Sequence, residues 1–445
     1  MRLETTEALD ANGAERKTLM AGHARALVLS GGGARGAYEA GVIGYIWRLL
    51  GRHFQGHHPF QIVSGTSVGA INTVSLAATA HEPLTQGEVL IGHWRSLEGN
   101  ELLRLSLGSI AQFGRWVVGS SFPALRKVMN IERGSLLDTR PLQLFVRDAV
   151  HWPQVQRNID SGCVESVSIS CTELTTGRTR VFVATRRRQL PVWSRDSMVQ
   201  AQRCVLRPEH ALASASIPIL FPAVPIEGRY YCDGGLRQNT PLSPALRLGA
   251  DRVLVIGIRR QGDTAAAPPG EPYPSPMFLA GKIIDAMLLD RIDYDIDRLN
   301  LINDLLATGH RVLGAQFGAA VNETAERWRG APYKPVQCLY IRPSRDIGAI
   351  ALECIKGGHV QATGFTKRMI RRVAEAESDY AADLMSYLLF DRPFAERLIA
   401  LGFEDAHRQR EAIIDFFDDR DVGGERPQVE EEAALEELEG RRMGG

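Results

Sequence analysis

Ser67 lies between glycines in Gly65-Thr66-Ser67-Val68-Gly69, a G-x-S-x-G pattern. A serine placed this way where a strand turns into a helix is pushed out on a strained corner, its hydroxyl exposed for nucleophilic attack. By spelling alone the pattern is weak, because a chain with 43 glycines can produce one by accident. Here it occurs once, between a short strand expected at 61–64 and a small-residue helix expected over 68–80. A second cluster, Gly31-Gly32-Gly33-Ala34-Arg35-Gly36, follows an apolar run at 24–30 and opens a helical pattern over 36–50. A third, Asp233-Gly234-Gly235, ends the run RYYCDGG at 229–235.

The Gly31–Gly36 cluster satisfies G-x-G-x-x-G, and two chemistries compete for it. Glycines permit backbone angles that other residues resist, and N–H groups at a helix start bind an anion. A dinucleotide site would need an acidic residue about 20 positions on for the ribose hydroxyls. No Asp or Glu occurs between Glu39 and Glu82. Acyl transfer, by contrast, needs donors for the oxyanion of its tetrahedral intermediate, and losing one such donor costs about 3 kcal/mol. If the first two strands are neighbours in a parallel sheet, both turns lie at one sheet edge and can reach one carbonyl. The glycines are therefore expected to hold a transient oxyanion.

A serine also needs a base. Asp233 ends another expected strand, and its glycine turn would bring a carboxylate to the same edge. His310 or His359 could instead complete a Ser–Asp–His order. Neither lies in a convincing strand-end loop, which favours a Ser67–Asp233 dyad. A carboxylate of ordinary pKa, about 3.9, is a weak base for a hydroxyl. The dyad therefore requires burial to raise Asp233 and strong stabilisation of the oxyanion as it forms. His53, His57 and His58 match no metal-ligand spacing, and no metal or cofactor is expected.

The elements that would position these groups follow from periodicity. Strand, helix, strand, helix over residues 24–80 predicts a parallel sheet with right-handed crossovers. ESVSISCTEL (165–174) and RTRVFVA (178–184) read as two strands joined by a turn, and RVLVIGI (252–258) as another buried strand. With 445 residues, one large catalytic domain plus an extension is expected. Lys and Arg together number 52, as do Asp and Glu, so no global field selects nucleic acid. Six scattered cysteines without a C-x-x-C pair read as reduced thiols of a cytoplasmic protein. No apolar run of about 18 residues is present to span a bilayer, and no secretion signal is visible in the first 24 residues.

GGGARG, GTSVG and DGG in this order resemble the patatin-like phospholipases, as does ASASIPILFP at 213–222. The resemblance covers roughly residues 25–260. It implies an α/β fold, a three-layer α/β/α sandwich with a mostly parallel central sheet. It implies Ser67 as nucleophile, Asp233 as general base and the backbone of the Gly31–Gly36 turn as oxyanion hole. The implied activity is calcium-independent hydrolysis of lipid acyl esters. Ser30 replaces an Asp found in many relatives, and Gly235 an Ala; neither touches the expected chemistry.

The expected organisation is a flexible leader (1–24), the catalytic domain (25–260) and a Pro/Gly-rich loop (261–276). A mainly helical extension (277–418) contributes a last sheet strand at 337–344, and an acidic disordered tail (419–445) ends the chain. The expected partners are a lipid or phospholipid substrate and, peripherally, a membrane surface. The greasy, basic stretch 101–130 is suited to a lid, an interfacial surface or a helical cap, and Arg186–Arg188 to phosphates or plain solvation. The late helices could support a homodimer. Two other readings are a histidine-triad carboxylesterase and a non-catalytic membrane-binding protein on the same scaffold.

Overall fold

In the run RALVL, Leu27 and Leu29 are buried against one face of the sheet and Ala26 and Val28 against the other. This double burial makes it a central strand between two helical layers. The structure, a computed structural model, describes residues 23–54, 56–97, 104–105, 137–138, 140–191, 193, 197–218, 220–260, 292–329, 331–358 and 379–420. The expectations for 1–22, the loop at 261–276, most of 101–130, His359 and the tail beyond 420 lie outside these residues.

In chain order the elements are β1 (Arg25–Leu29), α1 (Gly36–Leu50), β2 (Ile62–Thr66), α2 (Val68–Thr79), α3 (Gln86–Arg95), β3 (Arg104–Leu105), β4 (Leu137–Asp138), α4 (Arg140–Ala149) and α5 (Trp152–Asp160). There follow β5 (Ser166–Glu173), β6 (Thr179–Thr185), β7 (Val199–Arg203), α6 (Pro208–Ser214), β8 (Val224–Ile226), β9 (Arg229–Asp233), α7 (Leu242–Arg247) and β10 (Arg252–Ile256). The last group is α8 (Ile292–Leu313), α9 (Ala315–Arg329), β11 (Gln337–Ile341), α10 (Ile347–Lys356), α11 (Asp379–Leu388), α12 (Arg392–Arg408) and α13 (Arg410–Phe417). Short 3-10 turns occupy Gly33–Arg35 and Gly234–Leu236.

Nine strands form one sheet in the order β11-β10-β1-β2-β5-β6-β7, with β9 against β5 and β8 against β9. The five strands from β11 to β5 are parallel to their neighbours. β6 and β9 run antiparallel to β5. The larger core joins one sheet face to α1, α2, α3, α12 and α13, and the other face packs on α7 and the start of α8. This is the expected α/β/α arrangement with a mostly parallel sheet.

Two features of register decide where chemistry can occur. Leu29 on β1 pairs with Gly65 on β2, so the turns leaving both strands emerge side by side. β5, at eight residues, outruns β2, at five. Thr66, the last residue of β2, pairs with Ser170, and the next residue of β5, Cys171, pairs with Asp233 of β9. β9 thus takes up the edge of β5 where β2 stops, which brings Asp233 to the residue after Thr66, namely Ser67.

Candidate active site

Ser67 has φ 55° and ψ −127°, one of two non-glycine residues with positive φ among those described. Such a backbone costs about 1–3 kcal/mol and is typical of functional turns. As the residue before α2, Ser67 occupies a position where serine normally caps the helix with its hydroxyl. It makes no such cap. Its Oγ instead donates to Asp233 Oδ2 at 2.7 Å, and its N–H donates to Ser214 Oγ at 2.8 Å. Ser214 Oγ in turn donates to Ser170 O at 2.7 Å, so the corner is tied to β5. Gly69 packs onto β1: a Cβ there would fall 2.5 Å from Leu29 O, which is why the second glycine of the pattern is required.

Asp233 is fully buried. Its Oδ1 accepts the Gly235 N–H at 2.7 Å, and its own N–H donates to Ser216 O at 2.9 Å. Burial pushes the carboxyl up to about 7, against the opposing pull of the bonds from Ser67 and Gly235. The group is thereby brought into the range where a base can work at neutral pH. Among the described residues no histidine bonds to Ser67 or Asp233. His310 is exposed on α8, and His58, of the 53–58 cluster, is a core residue whose Nδ1 faces Phe60 O at 2.7 Å.

The Gly31–Gly36 turn lies beside this pair: a Cβ on Gly31 would fall 2.9 Å from Ser67 Cβ. Three of its six N–H groups are already engaged. Gly31 donates to Asn239 O, Arg35 to Gly32 O, and Gly36 to Gly33 O and Ala34 O. Those of Gly32, Gly33 and Ala34 have no acceptor among the described residues. The same holds for Val68 and Gly69 at the start of α2. Unpaired backbone donors on a turn packed against a serine can bind negative charge.

The turn is held from two directions. Asn239 clasps Gly31 twice: its Nδ2 donates to Gly31 O at 3.0 Å, and its O accepts the Gly31 N–H at 3.0 Å. Ser30 Oγ bonds Ile256 O and Thr240 Oγ1. On the other side Gly33, at φ 55°, lies under α11, where a Cβ would fall 2.2 Å from Tyr387 O. Gly234 and Gly235 begin the turn after β9, where Thr66 Oγ1 also donates to Gln238 O at 3.1 Å.

Ser214, Asn239 and the α11 contact were not singled out as site residues from sequence. Ser214 falls within ASASIPILFP, which carries part of the family resemblance, and Asn239 lies six residues after the expected base. Nothing local marks α11. Of the arginine run, Arg187 pairs with Glu165, Nε to Oε1 at 2.5 Å.

Residues 27–246 match the profile of the family described as patatin-like phospholipase, and through them the chain belongs to that family. The chain is 26% identical over 225 residues to a cGAMP-activated phospholipase of Vibrio cholerae serotype O1 (strain ATCC 39315 / El Tor Inaba N16961). That alignment spans 49% of this chain and 55% of the relative, about half of each. Among solved structures, VipD from Legionella pneumophila aligns at 13% identity and a TM-score of 0.30, over 82% of this chain and 66% of its own. ExoU of Pseudomonas aeruginosa, solved in complex with SpcU, aligns at 16% identity and a TM-score of 0.23, over 87% of this chain and 73% of its own.

Proposed function

We propose that this member of the patatin-like phospholipase family hydrolyses acyl esters of lipids with a Ser67–Asp233 dyad, without calcium. The observation that carries the reading is the 2.7 Å bond from Ser67 Oγ to Asp233 Oδ2, made by a serine in strained backbone beside unpaired N–H donors. Ser67 Oγ attacks the acyl carbonyl carbon as its proton passes to Asp233 Oδ2. The carbonyl oxygen becomes an oxyanion held by the N–H groups of Gly32, Gly33 and Ala34. Collapse expels the alcohol portion, which takes the proton back from Asp233, and leaves an acyl ester on Ser67. Water, deprotonated by the same carboxylate, then releases the fatty acid.

The positive end of α2 adds a favourable field at Ser67, within the first turn of that helix. Among the described residues no helix is long and apolar enough to cross a membrane, so lipid would be met at a surface. We assign the chemistry to residues 25–260 and treat 277–418 as an extension of that domain. Vesicles of phosphatidylglycerol and phosphatidylethanolamine, incubated with the protein and analysed for free fatty acid and lysolipid, test the reading. Release that disappears in Ser67→Ala and in Asp233→Ala, with chelator present throughout, is expected. An unchanged rate in either variant, or loss of wild-type release on chelation, defeats it.

A further inference from the structure

Arg35 is the only charged residue of the Gly31–Gly36 turn, and it is buried, 4% exposed. A guanidinium can be buried only with its donors and charge satisfied. Among the described residues, every hydrogen-bond partner of its side chain is on α11, well beyond the matched segment 27–246. Arg35 Nε donates to Ser386 Oγ at 2.8 Å, and Nη2 donates to Asp383 O at 3.1 Å and to Asp383 Oδ1 in an ion pair. Arg35 Cζ lies over the Tyr387 ring, 3.8 Å from its centre. Ser386 Oγ donates back to Asp383 O at 2.5 Å, so the two anchors are themselves linked.

The turn is gripped by backbone as well. Gly33 is pressed against Tyr387 O, and Ile258, which abuts Gly32, shares a small apolar cluster with Tyr387, Ile217 and Phe221. Ile217 follows Ser216, whose carbonyl holds Asp233. One helix from far along the chain therefore touches the turn that carries the three unpaired N–H groups, on both the Gly33 and the Arg35 sides of Ala34. With Nε and Nη2 bonded to α11 and Cζ over the Tyr387 ring, Arg35 is committed to that helix.

We propose that α11 is a positioning clamp for the oxyanion turn: Asp383 and Ser386 fix Arg35, and through it hold the N–H groups of Gly32, Gly33 and Ala34 where the oxyanion forms. The proposal rests on the reading of that turn as the oxyanion site. Asp383 and Ser386 touch no reacting atom and act only through Arg35. A donor held for the transition state contributes to kcat, whereas uniform binding alters KM. Displacement of the turn by a fraction of an ångström should therefore lower turnover and leave substrate affinity alone.

The test uses the full chain with Asp383→Asn, Ser386→Ala and Asp383→Glu. Two readouts are taken per folded molecule, as judged by thermal melting: kcat and KM on the vesicles above, and the rate constant for Ser67 labelling by a fluorophosphonate probe. Labelling also builds negative charge on an oxygen beside Ser67, so it reports the donors without depending on lipid. Asp383→Asn and Ser386→Ala should each lower kcat and the labelling rate by about 10-fold or more, in the same proportion, with KM within 2-fold. Asp383→Glu, which restores the charge, should recover part of the loss. Unchanged kcat and labelling per folded molecule, or a change confined to KM, overturns the clamp. A wild-type protein that labels but releases no fatty acid defeats the lipid reading alone, and the labelling comparison still decides the clamp. A wild-type protein that does not label removes the basis of both.

Discussion

Replacing Asp233 by Asn should stabilise the protein, and by an amount that grows with pH. The native fold holds this carboxyl at about 7 against an ordinary 3.8, because burial penalises its charged form. A raised carboxyl binds its proton more tightly when folded than when unfolded. That contribution is fully present below about pH 4 and is lost as pH rises through 7. Over the whole range the loss is about 4 kcal/mol, at 1.36 kcal/mol per factor of ten in proton affinity. Between pH 5 and pH 8 it is about 2–3 kcal/mol. Asn mimics the protonated state at every pH, so its advantage over wild type should increase by that amount across the interval. Asn cannot accept from both Gly235 N–H and Ser67 Oγ–H as Asp does, which costs about 1 kcal/mol independently of pH. All other titrations cancel between the two proteins. Thermal melting of both at pH 5 and pH 8 reads the difference, about 1 °C per kcal/mol for a chain of 445 residues, so the gap should widen by about 2–3 °C. A gap that does not change with pH, or one that narrows, would refute the assignment of Asp233 as a buried carboxyl poised near neutrality. In the same protein, wild-type turnover should climb about tenfold per pH unit below 7 and level off above it, as the base loses its proton.

Gly33→Ala puts a Cβ into a positive-φ position and onto Tyr387 O, so the turn must move. A loss of at least about 100-fold in kcat with KM little changed is expected from steady-state kinetics. Ser214→Ala removes the acceptor of the Ser67 N–H and leaves that buried donor unpaired. It should destabilise by about 1–3 kcal/mol, measured by denaturant unfolding at pH 7. Gly69→Ala meets the backbone at Leu29 O, the end of β1, and at Ser30 O just beyond it, and should lower soluble yield and melting temperature more than an Ala substitution at an exposed helix glycine such as Gly92.

The parts legible in the sequence are those whose cause is local. The double burial of RALVL and RVLVI, the turn chemistry of GTSVG and the break after RYYCD are each written in a few adjacent residues, and together they specify a parallel sheet with its loops at one edge. The meeting of Ser67 and Asp233 has no such signature. It follows from a difference in strand length: β5 runs three residues beyond the pairing of Thr66 with Ser170, and β9 occupies the vacated edge. A strand's partner can be guessed from its pattern, but the residue at which one partner ends and another begins is set by turn geometry on both sides.

The α11 contact is further still from local signals. Asp383 is one acidic residue among the chain's 52, and only the fold brings it, 348 positions downstream, to the arginine of the glycine turn. The same contrast explains why the family motif and the clamp separate. Residues 27–246 carry the groups that would break and form bonds, while those that bind the arginine of one of their loops lie outside that segment. If those outer contacts set the turn, the rate of the enzyme is controlled by residues that a motif-based comparison cannot see. Two patatin-like domains with identical dyads would then differ in turnover according to what covers their glycine turn.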